Sequence, residues 1–558
     1  MKSGVQPPMR LRSAQMFPTL SEAEIGRLRR FGDVRNFVAG EVLVTAGQTG
    51  HGIKILLSGE VDISHADGTG AHAVIMTHKP GEFLGELAQL SGRAALVSAR
   101  AATDGEVLVI PPSELRALLV SDAELGERIM RALILRRVNL MELGAGGPII
   151  IGPASNKDVL RITGFLSRNG HPHTQLDAVE DPDARALIDQ FHVPQHNLPI
   201  VLCPDGELLR NPEEAELAKC IGLMAEIDEA KLYDVVVVGG GPAGLAASVY
   251  ASSEGLSVLM LDGRSFGGQA GASARIENFL GFPTGISGMA LMGRSYAQAQ
   301  KFGVEMGIPN EVLGLDSDDR ADGDHLVALS TGETIKTRAV IIATGARYRR
   351  LNVEGIESFE GTSVHYWASP LEGRLCAGEN IALVGGGNSA GQAAVFLAST
   401  AAHVTVIARR PLEATMSRYL VDRISAQANV KVVTDAQVVQ LTGTEGRLDA
   451  VHWQGRHSAE AERVEVRHLF LFIGAKPNTE WLSGSGVLLD ARGFVVTGKD
   501  AGSDRFPMET TRRGIFAIGD VRAGSVKRVA SAAGDGSQAV FSVHNYFGER
   551  LAFLHGKG

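Results

Sequence analysis

The sequence predicts a multidomain α/β protein in which two related nucleotide-binding units follow a β-rich unit and a small α/β unit. Three observations predict it. Glycine-rich turns beginning at Gly239 and Gly385 each follow an apolar run and open a helical pattern, the strand–turn–helix order of a dinucleotide-binding unit. The first part of the chain alternates short β-type runs with turns, as in "GEVLVTAGQTGHGIKILLSGEVDIS". A chain of 558 residues with 44% apolar and 21% charged residues is globular in composition, and at ~150 residues per domain it has room for about four domains.

The elements follow in order. Residues 1–146 read as a β-roll closed by a helix from Asp122 to about Leu143. After the joint "LGAGGP", residues 147–226 read strand, helix, strand, helix ("DARALIDQF"), then "LPIVLCPDGELL", a strand–turn–strand bent at Pro-Asp-Gly, and a last helix. Residues 230–351 and 475–558 form the two parts of the first nucleotide-binding unit, and residues 352–474 form the second, inserted between them. Both are expected to be Rossmann-like three-layer domains.

Charge and cysteine usage exclude several functions. The formal net charge of −9 argues against nucleic acid or an anionic membrane as partner, because neither attracts an acidic protein. The start "MKSGVQPPMRLRS" lacks the apolar core and cleavage site of a secretory signal, and no apolar run approaches the ~20 residues that span a bilayer. A cytoplasmic protein without a membrane span is expected. Cys203, Cys220 and Cys376 are too few and too scattered for a disulfide framework or a metal site. They read as small buried apolar residues, with Cys203 in a hairpin strand and without a partner.

In "YDVVVVGGGPAGLAASVYASSEGLSVLMLD" every contextual condition of a dinucleotide fingerprint is met. Gly239 permits the tight turn, Gly241 lets a diphosphate approach the backbone, and Gly244 lets helix and strand touch. The helix N-terminus offers free N–H groups and the positive end of its dipole to the diphosphate. Asp262, at the end of the second strand, can accept both hydroxyls of an unphosphorylated ribose, as in FAD or NAD.

From about Asp234 to the end the chain resembles the low-molecular-weight thioredoxin reductase family. The matching pieces occur in the family's order: "GGQAG", "IENFLGFP", "IIATGA" with Gly345, "FLFIGAKPNT", "GIFAIGD" with Gly519 and "KRVASAAGDG". The resemblance implies bound FAD and a homodimer. It places Gln269 and Asn278 against the isoalloxazine, Val312 against the adenine and Asp520 on the ribityl chain. Arg528, Val529 and Ala530 would meet the pyrimidine edge, where the N-terminus of a helix starting near Gly536 would stabilise negative charge.

"IALVGGGNSAGQAAVFLASTAAHVTVIARRP" repeats the unit with Gly385, Gly387, Asn388 and Ala390. Its second strand ends in Arg409 and Arg410 rather than in a carboxylate. Guanidinium groups match a 2′-phosphate in charge and geometry, which favours NADPH over NADH as electron donor.

The stretch "VHYWASP" lies where the resembling family carries its redox-active cysteine pair: Trp367, Ala368, Ser369 and Pro370 occupy the four places. Disulfide exchange needs an attacking thiolate and a resolving thiol. Neither is present, so the usual exit of electrons to a thioredoxin is missing. Tyr366 or Trp367 either covers the flavin face that the dithiol would have used or fills a domain interface.

Residues 147–226, with Leu198-Pro199-Ile200 before a strand, resemble a thioredoxin/glutaredoxin-like fold in which Pro199 would be cis. Its cysteine positions read "GPASNKDV", which implies a redox-inactive docking or spacer domain. The N-terminal unit resembles a cyclic nucleotide-binding domain. On that resemblance Gly85, Glu86, Leu87 and Ala88 form the phosphate-holding turn and Arg93 is the candidate counter-charge. Cyclic AMP, cyclic GMP or no ligand at all remain alternatives for this unit.

The expected function is an NADPH-dependent FAD oxidoreductase that passes reducing equivalents to an unidentified acceptor: oxygen, a quinone, an iron–sulfur protein or another partner. Two alternatives stand beside it. One is a ferredoxin/flavodoxin–NADP reductase type of activity; the other is a redox-sensing signalling or scaffold flavoprotein with little turnover. No side chain is assigned as acid, base or nucleophile, and no metal is expected.

Overall fold

The computed structural model describes residues 14–66, 72–85, 94–143, 147–154, 156–178, 181, 184–185, 188–189, 194, 197–204, 206–224, 227–317, 323–444, 446–456, 458 and 460–555. The first unit contains strands β1 (Asp33–Phe37), β2 (Val42–Val44), β3 (Ile53–Ser58), β4 (Val61–Ala66), β5 (His72–His78), β6 (Phe83–Leu84), β7 (Ser98–Ala101) and β8 (Gly105–Ile110). They pair antiparallel in two four-stranded sheets, β1-β8-β3-β6 and β2-β7-β4-β5. This is the expected β-roll. Helix α1 (Glu22–Leu28) starts at a capping box made by Ser21 and Glu24. Helices α2 (Pro112–Ser121) and α3 (Ala123–Leu143) close the roll by packing Leu115, Leu118 and Ile129 on Ile53, Ile55 and Leu108. Gly85, at φ +146°, sits so close to Ile53 that a Cβ there would lie 2.8 Å from Ile53 Cγ2. Glu86, Leu87, Ala88 and Arg93 lie outside the described residues.

The second unit has one four-stranded sheet built from β9 (Ile149–Ile151), β10 (Thr174–Leu176), β11 (Ile200–Leu202) and β12 (Leu208–Arg210). Its order is β10-β9-β11-β12, parallel between β9 and β10 and antiparallel elsewhere. Helix α4 (Lys157–Arg168) is capped by the Asn156 side chain and lays Val159, Ile162, Phe165 and Leu166 on this sheet beside Leu217 and Ala218 of α5 (Glu214–Cys220). Leu198–Pro199 is cis, as expected. The helix expected over "DARALIDQF" falls largely outside the described residues. One cysteine reading is overturned: Cys203 and Cys220, separated by 17 residues, form a disulfide. The chain returns along α5 and brings its last residue back to the loop after β11, a contact that a search for closely spaced cysteine pairs does not see.

The third unit is organised by β13 (Leu232–Val238), β14 (Val258–Leu261), β15 (Glu305–Gly307), β16 (Val312–Asp316), β17 (His325–Leu329) and β18 (Thr334–Ile342), in the order β15-β14-β13-β18-β17-β16. The late strand Ile515–Ala517 joins the sheet beside β18, so the chain leaves this unit and returns to it. β13 lies between parallel neighbours and is buried on both faces. Val235 and Val237 meet helices α6 (Pro242–Ser253), α8 (Gly288–Lys301) and α12 (Val529–Leu554), while Val236 and Val238 face a second apolar layer. A continuous valine run suits such a strand. The short helix α7 (Gly268–Gly271) lies between α6 and α8 in sequence.

Two strands, β19 (Ala346–Tyr348) and the returning Ala475–Pro477, pair antiparallel and connect the third unit to the inserted fourth. The fourth unit has a five-stranded parallel sheet around Asn380–Val384, with Val364–His365, His468–Leu471, His403–Ile407 and Val430–Val433. Helices α9 (Pro370–Leu375), α10 (Asn388–Leu397) and α11 (Arg418–Ser425) belong to it. No helix among the described residues is long and apolar enough to cross a membrane.

Candidate functional site

Both glycine turns open on one cleft of about 1700 Å³, larger than the ~300–1,000 Å³ of a single small-molecule site. At the first turn the three glycines have distinct tasks. Gly239 has φ +116°, and a Cβ there would lie 2.2 Å from the Ala343 carbonyl oxygen. A Cβ on Gly244 would lie 1.9 Å from the Gly239 carbonyl oxygen, whereas one on Gly241 would meet nothing within 4 Å. Gly241 is the N-cap of α6 and lines the cleft, so the backbone is open where a diphosphate would approach the helix N-terminus.

Asp262 ends the second strand and lines the same cleft. Its Oδ2 accepts from Gly240 N (2.8 Å), and its Oδ1 from Arg264 N (2.9 Å) and Ser265 N (3.0 Å). Burial pushes this carboxyl above the usual aspartate range, and the three N–H donors pull it back in part. The carboxylate is thereby fixed, with lone pairs left for ribose hydroxyls.

Gln269 and Asn278 both line the cleft, and Gln269 Nε2 donates to the Ala346 carbonyl oxygen. Gly345 also lines it, at φ +64°, with open space at its Cβ position. Thr344 and Asn478 lock the two connecting strands together: Thr344 Oγ1 donates to Asn478 O (2.8 Å) and Asn478 Nδ2 donates to Thr344 O (2.9 Å). Asp520 is in the lining, its carboxyl pushed up by burial, lowered by Lys527 and raised by Asp535. Lys527 Nζ donates to the Asp520 carbonyl oxygen at 2.7 Å, and Gly519 N donates to Asp535 Oδ2 at 3.0 Å.

The Val312 side chain is buried in the apolar layer with Leu315, Val327 and Leu259 and is not part of the cleft lining. One expectation is corrected here. The helix expected near Gly536 begins at Val529, with Arg528 as N-cap. Arg528 and Val529 line the cleft and Ala530 lies in the helix's first turn, so the positive helix end coincides with these three residues. Gly536 is instead a close-packing position, where a Cβ would lie 2.7 Å from Ala247 N.

The second turn repeats the first. Gly385 has φ +150°, and Gly387 caps α10 with open space at its Cβ position. Asn388 Oδ1 accepts from Ser417 N (2.7 Å), and Thr415 Oγ1 donates to Gly386 O (2.7 Å). Ala390, fully buried, replaces the third glycine of the motif. Arg409 and Arg410 follow the second strand and are exposed. Tyr348 and Phe472, which sequence reasoning did not single out, cross edge to face at 5.3 Å in the cleft between the two turns.

Hydrogen bonds hold Trp367 and Ser369 in the segment that takes the place of the dithiol. Ser369 is the N-cap of α9: its Oγ accepts from Leu371 N (3.2 Å), and Glu372 accepts from Ser369 N (2.9 Å). Trp367 Nε1 donates to Glu372 Oε1 at 2.9 Å. The Arg168 guanidinium lies 4.2 Å from the Trp367 ring centroid. Tyr366 OH donates to Glu360, which also pairs with Arg350. Cys376 is free but fully buried, its thiol pushed up to about 12 by burial first and then by Glu372 and Glu379. No described cysteine lines the cleft, and among the described residues no group of three or more His, Cys, Asp or Glu is placed to hold a metal ion.

Comparison with known proteins fits this geometry. Residues 233–536 match the family model for pyridine nucleotide-disulphide oxidoreductases, and residues 34–122 match that for cyclic nucleotide-binding domains. The chain is 33% identical over 325 residues to the thioredoxin reductase of Bacillus subtilis, covering 58% of this chain and 97% of that protein. It is 31% identical over 321 residues to one component of the alkyl hydroperoxide reductase of Escherichia coli, covering 58% of this chain but only 59% of that protein's length. Among solved structures it resembles T. acidophilum thioredoxin reductase, with a TM-score of 0.52 at 30% identity over 56% of this chain and 98% of that one. It also resembles Lactococcus lactis thioredoxin reductase in the FR conformation, with a TM-score of 0.52 at 29% identity over 57% of this chain and 99% of that one. The chain belongs to the pyridine nucleotide-disulphide oxidoreductase family, related to thioredoxin reductase, and carries a cyclic nucleotide-binding-type domain ahead of that module.

Proposed function

We propose that the chain is an NADPH-dependent FAD oxidoreductase that takes in reducing equivalents without disulfide chemistry and hands them to an acceptor other than a thioredoxin. One observation carries the reading: a single cleft joins both glycine turns, and its described lining contains no cysteine. Bound FAD would supply the carrier that accepts hydride from a nicotinamide.

The chain's own residues supply position and charge. Gly241 and the α6 N-terminus receive the FAD diphosphate, and Asp262 takes the ribose hydroxyls. The α12 N-terminus at Arg528 and Val529 places positive potential at the pyrimidine edge, where reduction adds negative charge. Gly387 and α10 receive the second diphosphate, and Arg409 and Arg410 select a 2′-phosphate. Thr344, Asn478 and Gln269 hold the connecting strands that set the distance between the two turns, which matters because hydride transfer needs a near-attack geometry.

The acceptor is a small oxidant or a redox protein that does not rely on thiol exchange, and the working unit is a homodimer. The sheet order of the second unit, with Leu198-Pro199 just ahead of β11, supports a thioredoxin-like domain without its cysteines. The N-terminal unit is a candidate regulatory domain for a cyclic nucleotide. Anaerobic rapid mixing of the yellow holoprotein with NADPH tests the main reading. Fast loss of the flavin colour is expected, faster with NADPH than with NADH; absent or very slow bleaching with both would refute it.

A further inference from the structure

One turn of the second unit touches every other unit of the molecule. At the end of α4, the Arg168 guanidinium stacks on Trp367 of the fourth unit at 4.2 Å. The next residue, Asn169, is 1% exposed, and its Nδ2 donates to the Arg264 carbonyl oxygen in the third unit at 3.0 Å. Gly170 O accepts from Arg137 Nε of α3, in the first unit, at 2.9 Å.

Two of these grips lead to residues of the cofactor cleft. Arg264 N donates to Asp262 Oδ1 at 2.9 Å, and the Arg264 guanidinium is itself held from the second unit by both carboxylate oxygens of Glu214, at 2.7 and 3.1 Å. Trp367 is bound through its Nε1 to Glu372, which is 5% exposed and caps the helix that follows the missing dithiol. The other end of α4 is also applied to the fourth unit: a Cβ on Gly361 would lie 3.8 Å from Lys157 Cβ. The two ends of the helix therefore touch the two ends of the segment 361–367 that leads to the dithiol's place.

We propose that Arg168 and Trp367 are positioning residues that clamp the nicotinamide-binding unit against the flavin-binding unit through the 168–170 turn. The tryptophan at the lost dithiol's first place has become a docking residue. It holds the fourth unit in one orientation for hydride transfer and keeps this segment covered by the chain's own second unit. A cation over an indole face is attractive without a hydrogen bond, and the two half-buried side chains meet in the wall of the cleft. Arg168 is the end of a helix whose face is packed in a core, so its position is set by a rigid element. The proposal rests on the NADPH-to-FAD reading for its kinetic readout only.

The test uses the full-length holoprotein with Arg168→Ala, Arg168→Lys, Trp367→Ala and Trp367→Phe, alone and as the Arg168→Ala/Trp367→Ala pair. Two quantities are measured: the limiting rate of flavin reduction by NADPH with its half-saturating concentration, and amide exchange over residues 361–375. For a cation–aromatic contact the expected loss in limiting rate is about threefold to tenfold in each alanine variant. Half-saturation should stay unchanged, exchange should be faster over 361–375, and Arg168→Lys and Trp367→Phe should retain most of the rate. The double variant should lose no more than the worse single one. Unchanged exchange and unchanged limiting rate in both alanine variants would overturn the clamp, as would losses that multiply in the double variant. If the unmodified protein is not reduced by NADPH, the proposed function fails, and the exchange measurement still decides the clamp.

Discussion

The two glycine turns share a framework and differ at one end. Each has a left-handed first glycine, Gly239 or Gly385, and an open glycine N-cap, Gly241 or Gly387, before its helix. They diverge where the second strand stops. The first ends in Asp262, held by three backbone donors inside the cleft; the second ends in Arg409 and Arg410, both exposed. On the proposed reading the comparison teaches that a diphosphate would be read by backbone shape, which the repeat duplicates, and a ribose by side-chain charge, which it does not. A buried acid fixed by N–H groups suits bare hydroxyls, and exposed guanidinium groups suit a phosphate.

The strongest way to break the comparison is at the backbone. Gly239→Val would force a Cβ to 2.2 Å from the Ala343 carbonyl oxygen in a left-handed conformation, costing about 3 kcal/mol or more. Loss of bound flavin from the purified protein is expected, read by its visible absorbance. Arg409→Ala/Arg410→Ala comes next: loss of charge-assisted bonds worth ~1.5–3 kcal/mol should weaken NADPH by about tenfold to a hundredfold and leave NADH nearly unaffected. Equal losses for both nucleotides would remove the charge distinction between the two turns.

Asp262 gives a pH test of the same contrast. Its carboxyl lies above the usual aspartate range, mainly because burial disfavours the charge. In the cofactor-free fold, then, its contribution to stability is largest at low pH and is lost as pH rises through the folded-state pKa. Ribose binding uses the ionised form, so FAD affinity should have the opposite sign and fall as pH drops through that raised value. Titration of the apoprotein with FAD across the acid range should show the fall, and Asp262→Asn should weaken FAD and flatten the profile. The smallest effect is expected at the former dithiol. Ser369 acts as a helix cap, and Ser369→Ala should cost about 1 kcal/mol of stability with no change in flavin reduction, as measured by thermal melting and rapid mixing.

How much was legible in the sequence follows from the range of the contacts. Gly239, Gly241, Gly244 and Asp262 are tied by local strand–turn–helix geometry, and they lie where the fingerprint put them. Trp367 and Ser369 could be recognised as incapable of disulfide exchange from their chemistry alone. The partners of those residues were not legible, because Arg168 is far away in the chain and its approach to Trp367 depends on how separate units dock. The pairing of Cys203 and Cys220 is not legible for a similar reason: it depends on α5 folding back across a sequence separation of 17. The adenine-facing role of Val312 is implied by resemblance alone, and its place in the strand turns the side chain to the core. The helix expected to start near Gly536 starts at Val529, so the glycines of "RVASAAGDG" lie inside a long helix; Gly536 is there because Ala247 leaves no room for a side chain.

The most direct measurement follows NADPH oxidation and the appearance of thiols together, with the holoprotein, a thioredoxin and its disulfide substrate, and then with a quinone in their place. The expected result is no thiol above the uncatalysed background with the thioredoxin, and steady NADPH oxidation with a non-thiol acceptor of this kind. Thiols appearing in step with NADPH consumption would contradict an electron path that bypasses sulfur.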